Sequence, residues 1–262
     1  MKVVRFAIAL PIAACVAYGV ATAATPATPA AAEPARASAQ RADPADAAAP
    51  AIHADLHGSA QDYADLVRAL RESADAGDPR TFAMLGIMYA NGQGVRQDYV
   101  LAHLWFTRGA NRGDANAQFN LGDMYAYGHG VGLDYAEAIR WYRASADQGF
   151  VHAQNSLGTM YREGLGVPKD NVKAVEWYRK AAEQDSPEAQ CNLAAMYANG
   201  LGVKRDLVEA YKWYNLAARK FNSAERERNE LAASDRDIIA AKMTPEQIVA
   251  AQNLSRTWRP AR

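Results

Sequence analysis

Apolar and small residues fall in two alternating stripes over residues 79–222. The first joins Thr81, Leu85, Met88 and Tyr89, a spacing of i, i+4, i+7, i+8 that lies on one helix face. Ala117, Ala153 and Ala189 open the same stripe in later copies. The second joins Ala102, Trp105, Phe106, Gly109 and Ala110, and returns as Ala138, Trp141, Tyr142, Ser145 and Ala146. It too is a helix face. Between the stripes stands Gly-x-Gly-Val-x-x-Asp: Gly92 and Gly94 suit left-handed positions that end a helix, and Asp98 suits the N-cap of the next. The pattern therefore predicts a helix A over 79–91 and a helix B over 98–112. Glu137 after Asp134, and Glu209 after Asp206, add the pattern of a capping box.

This two-helix unit recurs. LGIMYANGQGV at 85 returns as LGDMYAYGHGV at 121, LGTMYREGLGV at 157 and LAAMYANGLGV at 193, each copy 36 residues after the last. Such a period marks stacked supersecondary units. One unit carries too few large apolar side chains to offset the entropy of ordering its own backbone, so neighbours must share their faces. The units are 79–114, 115–150, 151–186 and 187–222, preceded by a capping half-repeat over 59–78. In that half-repeat Asp62 falls 36 residues before Asp98, and Ala69 stands where later copies have Trp. Beyond Lys220 the repeat dissolves, and 223–262 reads as C-terminal capping helices. The last of these opens at Thr244-Pro245-Glu246-Gln247, with Ile248, Leu254 and Trp258 placed to seal the final unit.

L-G-x-x-Y followed by A-x-x-x-[FY] is the core of the tetratricopeptide pattern, whose period is about 34. The longer interval from Tyr89 to Ala102 and the intervening glycine loop instead resemble the Sel-one-like repeat family, and AAKMTPEQIVAAQNLSRTW looks like the C-terminal cap such proteins carry. The resemblance covers about residues 60–260. It implies an all-α fold, an α/α solenoid wound as a right-handed superhelix of helix-turn-helix repeats. It also implies a non-enzymatic scaffold or adaptor, in bacteria often in the cell envelope.

Outside the repeats, composition changes the picture at the N-terminus. Lys2 and Arg5 precede the uncharged stretch FAIALPIAACVAYGVATAA, with Ala21-Thr22-Ala23 placed for signal peptidase, so 1–23 reads as a cleaved signal peptide. A lipid anchor at Cys15 is the alternative. Residues 24–58 are Ala- and Pro-rich and read as a disordered linker. These features place the chain in the periplasm or outside the cell, with no membrane insertion after cleavage. Loss of Lys2 and Arg5 from the 29 basic side chains leaves 27 against 29 acidic ones, so no basic field attracts nucleic acid. It also leaves Cys191 as the one thiol, without an internal disulfide.

Candidate chemistry is sparse. Gly-x-Ser-x-Gly, Ser-x-x-Lys and His-Glu-x-x-His are all missing from the sequence. His53 and His57 are four apart but have no third ligand, so neither a metal nor a cofactor is expected. His103 reads as a packed substitute in a helix-B column, and Trp105, Trp141, Trp177 and Trp213 read as core. Some cysteine-rich relatives are linked to β-lactams, which leaves an envelope hydrolase acting on peptidoglycan or β-lactams as the competing class.

The repeats can be compared column by column. Packing columns hold, while four helix-A columns vary: Arg80/Asn116/His152/Glu188, Ala83/Phe119/Asn155/Cys191, Ile87/Asp123/Thr159/Ala195 and Ala90/Ala126/Arg162/Ala198. Their offsets of 3, 4 and 3 put them on one helix face. By analogy with tetratricopeptide arrays this face is the concave groove. The expected site is therefore a groove for a protein or peptide of the cell envelope on a monomeric solenoid. Phe119 is its expected apolar anchor; Arg80, Asp123, His152, Arg162 and Glu188 supply polar specificity, alongside Ile87, Asn116, Asn155, Thr159 and Cys191.

Overall fold

The computed structural model describes residues 60–76, 80–220 and 226–261. The expected signal peptide with Cys15, the linker, His53 and His57 lie outside the described residues. Helix α1 (Ala60–Asp75) is followed by four helical pairs: α2 (Arg80–Asn91) with α3 (Tyr99–Ala110), α4 (Ala115–Tyr127) with α5 (Tyr135–Ala146), α6 (Val151–Glu163) with α7 (Asn171–Glu183), and α8 (Pro187–Asn199) with α9 (Leu207–Ala217). Helices α10 (Arg226–Ala240) and α11 (Pro245–Thr257) close the array. Among the described residues there is no strand, and the chain is an all-α solenoid.

Local chemistry explains the boundaries. Gly92 and Gly94 take φ of 69° and 68°, and the same pair recurs in each later loop. The second glycine has a further duty, because a Cβ on Gly130 would come within 2.7 Å of Tyr99 Cβ, and one on Gly166 within 2.7 Å of Tyr135 Cβ. The loop thus presses on the first turn of the preceding unit's B helix, where a side chain would force the units apart. Asp98, Asp134, Asp170 and Asp206 cap the B helices, each accepting from a backbone N–H of the first turn. The capping boxes expected at Asp134 and Asp206 are only half made. Asp134 N–H donates to Tyr125 O at 2.9 Å and Asp206 N–H to Tyr197 O at 3.0 Å, so the N-cap donor is already used. Glu137 pairs with Arg140 instead, and Glu209 with Lys212. At Thr244 the N-cap donor is free, and both arms with Gln247 form.

Packing then proceeds from each helix to its sequence neighbours, and the core runs as three successive clusters along the stack. Leu85, Leu121, Leu157 and Leu193 are fully buried, as are Phe106, Tyr142, Tyr178 and Tyr214 of the facing B helices. Trp105, Trp141 and Trp213 are buried and Trp177 is half-buried; Lys180 Nζ lies 3.9 Å from the centre of the Trp177 ring and the Arg140 guanidinium 4.1 Å from that of Trp141. Two polar ladders fix the register between units. Gln148 Nε2 donates to Gln118 Oε1 at 2.7 Å and Gln184 Nε2 to Gln154 Oε1 at 2.8 Å, 30 residues apart in both cases. Arg143 donates to the Tyr161 hydroxyl at 2.6 Å and Arg179 to that of Tyr197 at 2.9 Å; Arg71 meets Tyr89 likewise. Thr107 interrupts this series, and His103 fills the gap with a 3.3 Å hydrogen bond to Tyr125. Burial holds His103 below the usual histidine range, which fits a packed partner.

At the C-terminal end, α10 and α11 both pack on α9. Ile248 and Trp258 join the core, with the Trp258 ring 5.8 Å from Trp213. Leu254, expected beside them, is 42% exposed: three residues on from buried Ala251 and one before buried Ser255, it falls at the edge of the packed face of α11.

Candidate functional site

The variable columns all lie on α2, α4, α6 and α8, but the structure divides them. Phe119 and Cys191 are buried at 6% and 1% exposure, so they are not the open anchor and lining residue expected from helical phase. Phe119 is covered from three sides, its ring 5.8 Å from Tyr142, 5.3 Å from Phe150 and 5.9 Å from His152. Ala126, Ala195 and Ala198 are also buried. Ile87, Asn116, Asp123, His152, Asn155, Thr159, Arg162 and Glu188 remain half-exposed. Arg80 opens α2, and its side chain lies outside the described residues.

The open strip is thus rotated from the expected one. In α4 it runs through Asn116, Asn120, Asp123 and Tyr127, and in α6 through His152, Ser156, Thr159 and Glu163, a spacing of i, i+4, i+7, i+11. Positions three residues after the start of each set turn toward the neighbouring helix instead. The column Met84/Asn120/Ser156/Asn192 was missed from sequence, although its three polar members on otherwise apolar helices were the available signal.

Polar contacts tie the strip together across units. Asn192 Nδ2 donates to Asn155 Oδ1 at 2.9 Å, and Arg162 Nη1 donates to Asn192 Oδ1 at 3.2 Å. Arg162 also pairs with Glu163 at 2.6 Å, and Glu188 with Arg228 of α10 at 3.3 Å. Thr159 Oγ1 and the Tyr178 hydroxyl lie 3.0 Å apart. The equivalent contact in the unit before is the Tyr142 hydroxyl donating to Asp123 Oδ1 at 2.6 Å. Burial raises the Asp123 carboxyl to about 7, opposed by that hydrogen bond. Burial lowers His152, with Glu188 acting the other way.

This arrangement offers hydrogen-bonding side chains and half-buried charges at repeated intervals. Among the described residues no group of three or more His, Cys, Asp or Glu side chains is placed to hold a metal ion, and no helix is long and apolar enough to cross a membrane.

Comparison with known proteins gives the same architecture. The Sel1 repeat model matches residues 83–114, 115–150, 151–186 and 187–220. No curated protein matches in sequence. Among solved structures, the chain is similar to a Sel1 repeat protein from Oxalobacter formigenes, with 34% identity, a TM-score of 0.56, and 63% of this chain and 48% of that one covered. It is also similar to a protective antigen with an SLR fold from uropathogenic Escherichia coli strains (26% identity, TM-score 0.37, covering 75% and 56%). A third, a Sel1 repeat protein from Klebsiella pneumoniae subsp. pneumoniae, shares 22% identity at a TM-score of 0.45, covering 68% and 86%. The chain thus spans about half the length of the first two. With four matched repeats laid on four helical pairs of one stack, the chain belongs to the Sel1 repeat family.

Proposed function

We propose that this chain is an exported, non-enzymatic adaptor of the bacterial cell envelope, and that the strip on α4, α6 and α8 binds a partner protein or peptide. Sel1 repeats generally mediate protein–protein interaction. One observation carries the assignment of the surface: the core columns Leu85/Leu121/Leu157/Leu193 and Met88/Met124/Met160/Met196 are the same in every copy, whereas the half-exposed positions 116, 152 and 188, like 123 and 159, differ from unit to unit. A face required only to be soluble has no need of the cross-unit bonds among Asn155, Arg162 and Asn192. Those bonds pre-set side-chain positions and so lower the ordering cost of binding. The export half of the proposal rests on the leader-like composition of 1–23.

A photo-crosslinking residue placed at Asn120 or Thr159, in cells making the chain at its native level, should trap one discrete partner. The same residue at Val100 or Val172, exposed on B helices, should not. Equal trapping from both faces, or none from the strip, rejects the surface. Mass analysis of the mature N-terminus tests export and distinguishes cleavage after Ala23 from lipidation at Cys15. Turnover of muropeptides or a chromogenic β-lactam that survives repurification and vanishes in a point variant would overturn the adaptor reading in favour of a hydrolase.

A further inference from the structure

Asp123 is the strip's unbalanced charge. The other acids there have cations beside them, Glu163 with Arg162 at 2.6 Å and Glu188 with Arg228 at 3.3 Å, but among the described residues no ion pair involves Asp123. Its Oδ1 accepts from the Tyr142 hydroxyl at 2.6 Å, and no donor among the described residues meets Oδ2. One helical turn on stands Tyr127, 44% exposed, on the same face of α4. Its ring stacks on His129 at 5.9 Å and 29°, and His129 stacks in turn on Tyr99 at 5.0 Å and 22°. A fixed carboxylate therefore borders a run of aligned rings at the end of α4.

We propose that Asp123 and Tyr127 form the receptor for an arginine side chain of the partner, with the guanidinium forked on the carboxylate and its plane on the Tyr127 ring. This rests on the adaptor reading and names what the strip grips. Arginine fits for a geometric reason: its planar group can chelate a carboxylate and stack on an aromatic face together, whereas an ammonium is a point charge that does only one well. A divalent cation is the wrong chemistry, since such an ion needs several hard oxygen ligands and among the described residues no group of three or more His, Cys, Asp or Glu side chains is placed to hold one. Burial raises the carboxyl to about 7, the penalty expected of a charge whose counter-ion arrives from outside. The receptor occurs once. Ile87, Thr159 and Ala195 occupy the Asp123 column, and Asn91, Glu163 and Asn199 that of Tyr127, so no other unit combines acid with ring. One arginine would then set the register of the bound partner on the stack.

The test uses the isotope-labelled full chain at about pH 8, where the carboxyl is ionised, titrated with N-acetyl-arginine methylamide, its citrulline counterpart and its lysine counterpart. The arginine probe should give saturable amide shifts confined to residues 120–130. Citrulline, isosteric but neutral, should bind at least about tenfold more weakly, as expected for loss of a charge-assisted pair. Asp123→Asn should abolish the response. Tyr127→Leu, an exposed substitution that preserves the helix, should weaken it by about two- to fivefold, the range for an exposed cation–π contact. An equal response to citrulline, shifts centred elsewhere, or a response unaltered by either substitution overturns the receptor. If crosslinks from Asn120 still trap a partner while the arginine probe fails, only this inference falls; if the strip traps nothing, the adaptor reading falls with it.

Discussion

Replacing Asp123 by Asn should make the protein more stable near pH 8 and leave it nearly unchanged near pH 3, below the ordinary carboxyl value of 3.8, because only the ionised carboxylate is costly in this site. The carboxyl rises from an ordinary value of 3.8 to about 7, with burial as the main cause. At about 1.4 kcal/mol per pH unit, the penalty on the charged form has a ceiling of about 4 kcal/mol. Asp123 is half-buried rather than sealed, and solvent screening reduces the expected gain to about 1–2 kcal/mol. The sign follows from proton counting. Between pH 3.8 and about 7 the folded state holds a proton that the unfolded chain has lost, so stability falls as pH rises through that window. An asparagine keeps an acceptor for the Tyr142 hydroxyl and carries no charge at either pH. His103 and His152, both lowered by burial, give stability that rises with pH below the ordinary histidine range. They contribute equally to both proteins, so the difference between wild type and variant isolates Asp123. Thermal unfolding followed by far-UV circular dichroism reads the effect, at about 2–4 °C per kcal/mol for a chain of this size. A variant that is less stable than wild type at pH 8, or a difference that does not depend on pH, refutes the reasoning.

Three further outcomes check the packing. Phe119→Ala should cost about 3–5 kcal/mol in urea unfolding, since the ring is enclosed by Tyr142, Phe150 and His152; a small cost would restore it as a surface anchor. Gly130→Ala should destabilise by about 1–3 kcal/mol, given φ of 71° and the close approach to Tyr99, while Gly132→Ala, with nothing within 4 Å, should be neutral in the same assay. In a Cys15→Ser chain, a thiol reagent should modify Cys191 at the rate of unfolding in native buffer and at once in denaturant, because the side chain is 1% exposed; fast native labelling would contradict that burial.

The Asp123 experiment also bears on why a marginally stable stack keeps such a residue. Thr159 and Ala195 show that the same column tolerates uncharged side chains in other units, and Thr159 even reproduces the hydroxyl contact to the B helix. A carboxylate that costs stability without an internal counter-ion fits a binding role better than a packing one.

By itself the sequence determined the architecture: the repeat of 36 residues, the helix pairs, the loop glycines, the aspartate caps and the closing helix at Thr244. These are properties of a few consecutive residues, and similar neighbours on both sides of each inner unit make local rules sufficient. Tertiary structure alone decided which side chains remain open. Phe119 and Asn155 occupy the same helical phase, yet Phe119 is buried, because Phe150 and His152 arrive from about 30 residues away to cover it. Glu137 sits at the spacing of a capping box and cannot close it, since the Asp134 N–H is spent on Tyr125. Asn192 and Arg228 entered the candidate site through contacts with Arg162 and Glu188 across helices. Helical period places a residue on a face, but exposure depends on what the next unit brings against that face, and this is a matter of distance in space that no spacing along one helix encodes.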